Sequence, residues 1–144
     1  MDNCTVCPFV KYWYVVLAVA VAVWAVYKFT REHNTPPPRE IAGVVNLSAA
    51  GFESAVASGV TLVDFWAPWC GPCRMQLGIV AETVPALPDG VRIAKVNIDE
   101  ARGVAERFGV NSVPTWIVFR DGKQVGRAEG VQGKEDLLKL AEAN

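Results

Sequence analysis

Cys70 and Cys73 are separated by two residues in Trp69-Cys70-Gly71-Pro72-Cys73, between an apolar run, residues 60–67, and a run from Arg74 to about Val84 that reads as a helix. Two thiols so spaced at the mouth of a helix can shuttle between dithiol and disulfide. Cys70 falls at the expected helix N-cap, where unpaired backbone N–H groups and the positive end of the macrodipole favour an anion. That lowers the thiol below its free pKa of about 8.5, and the thiolate is the nucleophile in disulfide exchange. Cys73, one turn in, is shielded and placed to resolve a mixed disulfide. Pro72 suits the first turn, where its missing N–H costs nothing, and Gly71 leaves room for a substrate backbone. Two other readings compete. Half of a zinc site would need two more Cys or His ligands, which residues 40–144 lack. A purely structural disulfide closing so short a loop would gain little stability. Redox exchange is therefore the expected chemistry, with no metal and no cofactor.

Two charged residues stand where packing does not explain them. Asp64 interrupts an otherwise apolar strand, residues 60–66, and a buried carboxylate is costly unless paired or protonated. Lys95 is the matching oddity in the expected strand 91–98. If the strands are neighbours, the two meet beneath the helix that starts at Cys70. A buried Asp with a raised pKa could then take the Cys73 proton, directly or through water. The bland alternatives are an edge Asp64 and a solvent-facing Lys95. Pro114, just before the next strand, is a candidate cis residue. A cis bond would turn the backbone of Ser112 and Val113 toward the cysteines and offer an edge to an extended substrate segment.

The elements that must hold these residues follow from pattern. Residues 44–47 read as a strand, and Ser48 as the cap of a helix containing Phe52, Ala55 and Val56. Residues 101–108 read as a helix ending at Gly109, and residues 116–120, Asp121-Gly122 and 123–128 as a hairpin. A final amphipathic helix over 134–143 carries Leu137, Leu138 and Leu140. Strands alternating with helices and then a hairpin predict an α/β domain with a mixed central sheet covered on both faces.

Residues 44–143 resemble the thioredoxin family in register. Four segments carry the likeness: residues 63–75 around the cysteines, Lys95-Val96-Asn97-Ile98-Asp99, Gly109-Val110-Asn111-Ser112-Val113-Pro114-Thr115, and Gly130. The resemblance implies the thioredoxin fold and thiol–disulfide exchange on protein substrates. In it Cys70 attacks, Cys73 resolves, and Asp64 with Lys95 manages protons. Trp69, Gly71, Pro72, Ser112, Val113, Pro114 and Gly130 would contact substrate, with Pro114 also keeping metals off the thiols. Gly71-Pro72 between the cysteines resembles reducing members, near −270 mV, more than oxidising ones near −120 mV. An oxidase or isomerase, and a non-catalytic docking or assembly adaptor, are the alternatives. Two positions depart from the family pattern. Gly78 replaces a common helix-kinking proline, and Glu129 puts a charge at the docking rim, which would narrow the substrate range.

The chain has 144 residues and a formal net charge of −1, so one domain plus an appendage is expected. Residues 40–144 carry ten Lys/Arg against thirteen Asp/Glu, a balance that argues against nucleic-acid binding. The sixteen residues from Tyr12 to Tyr27 contain no charge. They make about 24 Å of helix against a hydrocarbon core of about 30 Å, a gap that Lys11 and Lys28 can close by snorkelling. The expected organisation is a tail, residues 1–11, a membrane-spanning helix, residues 12–29, a Pro-rich linker, residues 30–40, and the thioredoxin domain, residues 41–144. A cleaved signal peptide is the rival for the apolar segment, since Ala18-Val19-Ala20 has the small-x-small look of a cleavage site. His33 reads as a solvated linker residue. The few flanking cations weakly favour a cytoplasmic domain, whereas membrane-tethered relatives more often face outward. An extracytoplasmic domain is the expectation, with a cytoplasmic one as the alternative, because a cytoplasmic thioredoxin gains little from an anchor. The extracytoplasmic placement requires an electron-donating reductase or a transmembrane thiol relay. Cys4 and Cys7 allow a second redox pair, a metal clip between chains, an acylation site, an interchain disulfide or two idle thiols.

Overall fold

A computed structural model describes residues 8–33 and 41–142, with side chains in the first segment at 12–13 and 15–29. The chain divides into two units, Met1–Pro36 and Pro37–Asn144.

The first unit holds helix α1, Pro8–His33. It runs past the expected 12–29 at both ends, and residues 30–33 continue the helix. Its described side chains are exposed and almost all apolar. Among the described residues no helix is long and apolar enough to cross a membrane. The expected span over 12–29 is thus not borne out at this level. Cys4, Cys7 and residues 34–40 lie outside the described residues, as does the His33 side chain.

The second unit is a five-stranded mixed sheet in the order β1-β3-β2-β4-β5. Its elements are β1 Val44–Leu47, α2 Phe52–Val56, β2 Val60–Trp66, α3 Gly71–Thr83, a 3-10 turn Val84–Ala86, β3 Val91–Asn97, α4 Arg102–Arg107, β4 Thr115–Arg120, β5 Lys123–Glu129 and α5 Lys134–Glu142. β2 lies centrally, parallel to β3 and antiparallel to β4. Its residues Val60 to Phe65 are all buried, as a strand covered on both faces requires. Period-2 alternation sends Val63 and Phe65 into one core and Val60 and Leu62 into the other. The first core packs Phe52 of α2 against Phe65, Phe108 and Phe119. The second lies under α3 and α5, with Leu62, Ile93, Trp116, Val80 and Leu137.

The hairpin forms as its turn chemistry dictates: Asp121 and Gly122 both take positive φ, at 48° and 80°. One cap differs from expectation. The Ser48 hydroxyl accepts the Gly51 amide at 3.2 Å and closes a turn ahead of α2, whose N-cap is Gly51 with no side-chain cap. The hydroxyl is spent one turn too early to serve the helix.

Candidate active site

β2 delivers the chain to the site, and the turn after it is fixed by the Cys70 amide donating to the Ala67 carbonyl at 3.1 Å. Cys70 is the N-cap of α3, with Pro72 in the first turn. Its sulfur accepts the backbone N–H of Cys73 at 3.1 Å. The two cysteines form a disulfide, with S–S 2.01 Å and Cα–Cα 5.3 Å. On reduction the same N–H and the helix macrodipole favour a thiolate at Cys70. Both cysteines are buried in the disulfide form, Cys70 at 4% and Cys73 at 3% exposure, so shielding does not single out Cys73 as expected. They pack with Ala67, Trp66, Ile98 and Val113.

An exposed rim surrounds the sulfurs. Trp69 is 63% exposed, and its indole N–H donates to the Asp99 carboxylate at 3.1 Å. Gly71 and Pro72 are also exposed, and a Cβ at Gly71 would meet nothing within 4 Å. Across from them the Val113–Pro114 bond is cis, and the Val113 carbonyl lies 3.7 Å from the Cys70 sulfur. Ser112 is exposed, and its carbonyl accepts the Thr115 hydroxyl at 2.8 Å. The Gly130 amide donates to the Pro114 carbonyl at 2.8 Å. Gly130 has φ +81°, a conformation that side chains rarely adopt. Residues drawn from three separate stretches of sequence thus meet around one disulfide.

Asp64 and Lys95 are neighbours. They are paired in register across β2 and β3, and Asp64 also faces Trp116 of β4. The strand period puts Asp64 on the face covered by α3 and α5, two residues beyond Leu62. Asp64 is fully buried, and neither carboxylate oxygen has a hydrogen-bond partner. Desolvation pushes its pKa up to about 7, against the opposing pull of the Lys95 charge. Burial lowers the Lys95 pKa, and the Asp64 charge works in the other direction. Rather than closing an ion pair on Asp64, the Lys95 ammonium sits 4.5 Å from the Trp66 ring centroid, a cation–π contact.

Gly78, where a kinking proline is common in the resembled family, is exposed within the unbroken helix α3. Glu129 is exposed at the end of β5 and ion-paired to Arg127 at 2.8 Å. One buried residue escaped the sequence reading. Gln76 of α3 is 0% exposed and bonded to the backbone of Gln132. Its position three residues after Cys73, on the same helical face, was the available signal. Among the described residues no group of three or more His, Cys, Asp or Glu is arranged to hold a metal.

The thioredoxin family model matches residues 43–143. The chain belongs to the thioredoxin family. Among curated thioredoxins, that of Chlamydia caviae is 48% identical over 94 residues, covering 65% of this chain and 91% of the relative. A Staphylococcus aureus thioredoxin is 42% identical over 97 residues, covering 67% of this chain and 93% of the relative. The solved structure of a mutant thioredoxin from Halobacterium salinarum superposes with a TM-score of 0.64 at 30% identity, covering 74% of this chain and 94% of that one. The protein is a thioredoxin-like thiol–disulfide oxidoreductase with protein-disulfide reductase activity, and Cys70–Cys73 is its disulfide. Thioredoxins imply protein disulfides as substrates and a reductase as partner.

Proposed function

We propose that the reduced protein attacks substrate disulfides through Cys70 and is released through Cys73. The Cys70 thiolate bonds to one substrate sulfur while the substrate S–S bond breaks, and the departing sulfur takes a proton from solvent. The Cys73 thiol then loses its proton to Asp64, bonds to the Cys70 sulfur and breaks the mixed disulfide, expelling the second substrate sulfur as a thiolate, which takes a proton from solvent while Asp64 returns its own to solvent. One substrate disulfide is reduced and one Cys70–Cys73 disulfide is formed. A dithiol donor closes the cycle. The observation that carries this reading is the Cys70 sulfur at a helix N-cap, with the Cys73 amide aimed at it. Lys95 tunes Asp64 by its charge, and the surface of Trp69, Gly71, Pro72, Ser112, Val113, Pro114 and Gly130 docks the substrate. Incubating Cys73→Ser with disulfide-bearing proteins tests the scheme. Covalent mixed disulfides through Cys70 are expected, and their absence would favour a docking adaptor instead.

We also propose that residues 12–29 attach the domain to a bilayer as a single-pass anchor, with residues 30–40 as spacer and the domain, residues 41–144, on the extracytoplasmic side. The charge-free run from Tyr12 to Tyr27 and the exposed apolar side chains of α1 support this reading. An aqueous helix with such a surface would be strongly disfavoured. There the electron donor would be a membrane thiol relay. Alkaline carbonate extraction of the full chain tests attachment, which release into the supernatant would refute. Accessibility of a tag on the domain in intact cells tests the side.

A further inference from the structure

Gln76 uses both halves of its carboxamide on one residue of another segment. Its Nε2 donates to the Gln132 carbonyl at 3.0 Å, and its Oε1 accepts the Gln132 amide at 2.8 Å. The pairing is what a neighbouring strand would offer, supplied by a side chain. From Gln132 the contacts continue. Its own Nε2 donates to the carbonyls of Glu129 at 3.0 Å and Gly130 at 3.3 Å. The Gly130 amide donates to Pro114, and the Val113 carbonyl beside it approaches the Cys70 sulfur. Cys70 opens the helix that carries Gln76. The contacts therefore form a closed ring around the disulfide, and Gln76 is the link between α3 and the loop 130–132.

We propose that Gln76 is a positioning residue for macromolecular substrates: it holds the loop 130–132 at a fixed distance from the Cys70 helix. An extended substrate segment must reach the sulfur and the main-chain edge at Val113 and Gly130 together. A small disulfide needs only the sulfur. Gln76 touches neither, and acts through the loop. The inference rests on the proposed reductase reading.

Steady-state kinetics with insulin and with a small aromatic disulfide separate the two demands. Gln76→Leu should raise KM for insulin about fivefold to tenfold, the scale of one to two lost buried hydrogen bonds. Its rate on the small disulfide should change less than about twofold, because the Cys70 environment is intact. Gln76→Glu supplies a control of similar shape. Its carboxylate accepts from the Gln132 amide but has no donor for the carbonyl, whereas the protonated form has both. Burial raises the pKa of that carboxyl, so its insulin KM should approach wild type as pH falls, while that of Gln76→Leu should not recover. Amide exchange in the oxidised protein gives a readout without catalysis: protection of the Gln132 and Gly130 N–H groups should drop in Gln76→Leu. An unchanged insulin KM in both variants, equal losses on both disulfides, or unchanged protection would overturn the proposal. If the wild type reduced neither disulfide, the reductase reading would fail instead, and amide exchange would still decide the ring. If Gln76→Leu does not fold, Gln76→Glu followed across pH carries the same decision.

Discussion

The strand that enters the site and the helix that leaves it each bury a polar side chain completely, and the two are treated in opposite ways. Asp64, six residues before Cys70, has no hydrogen-bond partner on either oxygen and is held near neutrality by desolvation. Gln76, three residues after Cys73, has a partner for both donor and acceptor. A buried carboxyl without partners is expensive, and the fold tolerates it in the centre of β2. A buried amide with matched partners contributes to stability and fixes geometry. On the proposed reading the two regions serve different ends: the floor of the site stores a titratable group, and its rim stores a shape.

Removing the chemistry itself should have the largest effect. Cys70→Ser should bring insulin reduction below detection, with no mixed disulfides formed. Next comes the floor. Asp64 has a folded pKa of about 7 against an ordinary 3.8. Because the folded value is raised, its favourable contribution is fully present below pH 3.8 and is lost as pH rises through about 7. Asp64→Asn should therefore stabilise the protein at pH 8 by about 4 kcal/mol, and by little at pH 3, in denaturant melts compared across pH. The same variant should slow turnover most near pH 7–8, where Asp64 is ionised and able to accept a proton while hydroxide is still scarce. The deficit should shrink at alkaline pH. Unchanged rates would remove Asp64 from proton transfer while leaving its effect on stability.

The rim should respond with the opposite sign. Gln76→Leu strands the Gln132 amide and carbonyl, and should cost about 2 kcal/mol at every pH. A pH-dependent gain there would erase the contrast. The smallest effect is expected outside the domain. Deleting residues 1–36 should leave insulin reduction unchanged, since Pro37–Asn144 is a compact unit with its own cores.

Much of this was legible because it depends on short-range pattern. The apolar run of β2, the Asp121-Gly122 turn and the cysteines before a helix each constrain the chain locally. Asp64 and Lys95 could be matched from sequence because each breaks an apolar strand, and parallel pairing of those strands puts them side by side. What could not be read is which partners they find. Lys95 turns to Trp66, a residue of the neighbouring strand, and no local pattern announces that choice. Ser48 departs from the expected cap because a hydroxyl ahead of a helix can serve a turn as readily as a cap. Gln76 escaped notice because a polar residue on a helix ordinarily faces water, and its partner lies 56 positions away. For α1, apolar composition marked a helix, but its ends at Pro8 and His33 extend beyond the charge-free run. The extension is mostly apolar at the N-terminal end, Pro8-Phe9-Val10-Lys11, and mostly polar at the C-terminal end, Lys28 to His33.

The account stands or falls on Cys70 and Cys73 as a reducing couple. Equilibrating the full chain with glutathione buffers and counting free thiols measures that directly. The account predicts a potential in the range typical of thioredoxins, about −270 mV, with both thiols appearing together. A potential above about −180 mV would contradict it and mark the protein as an oxidant or isomerase.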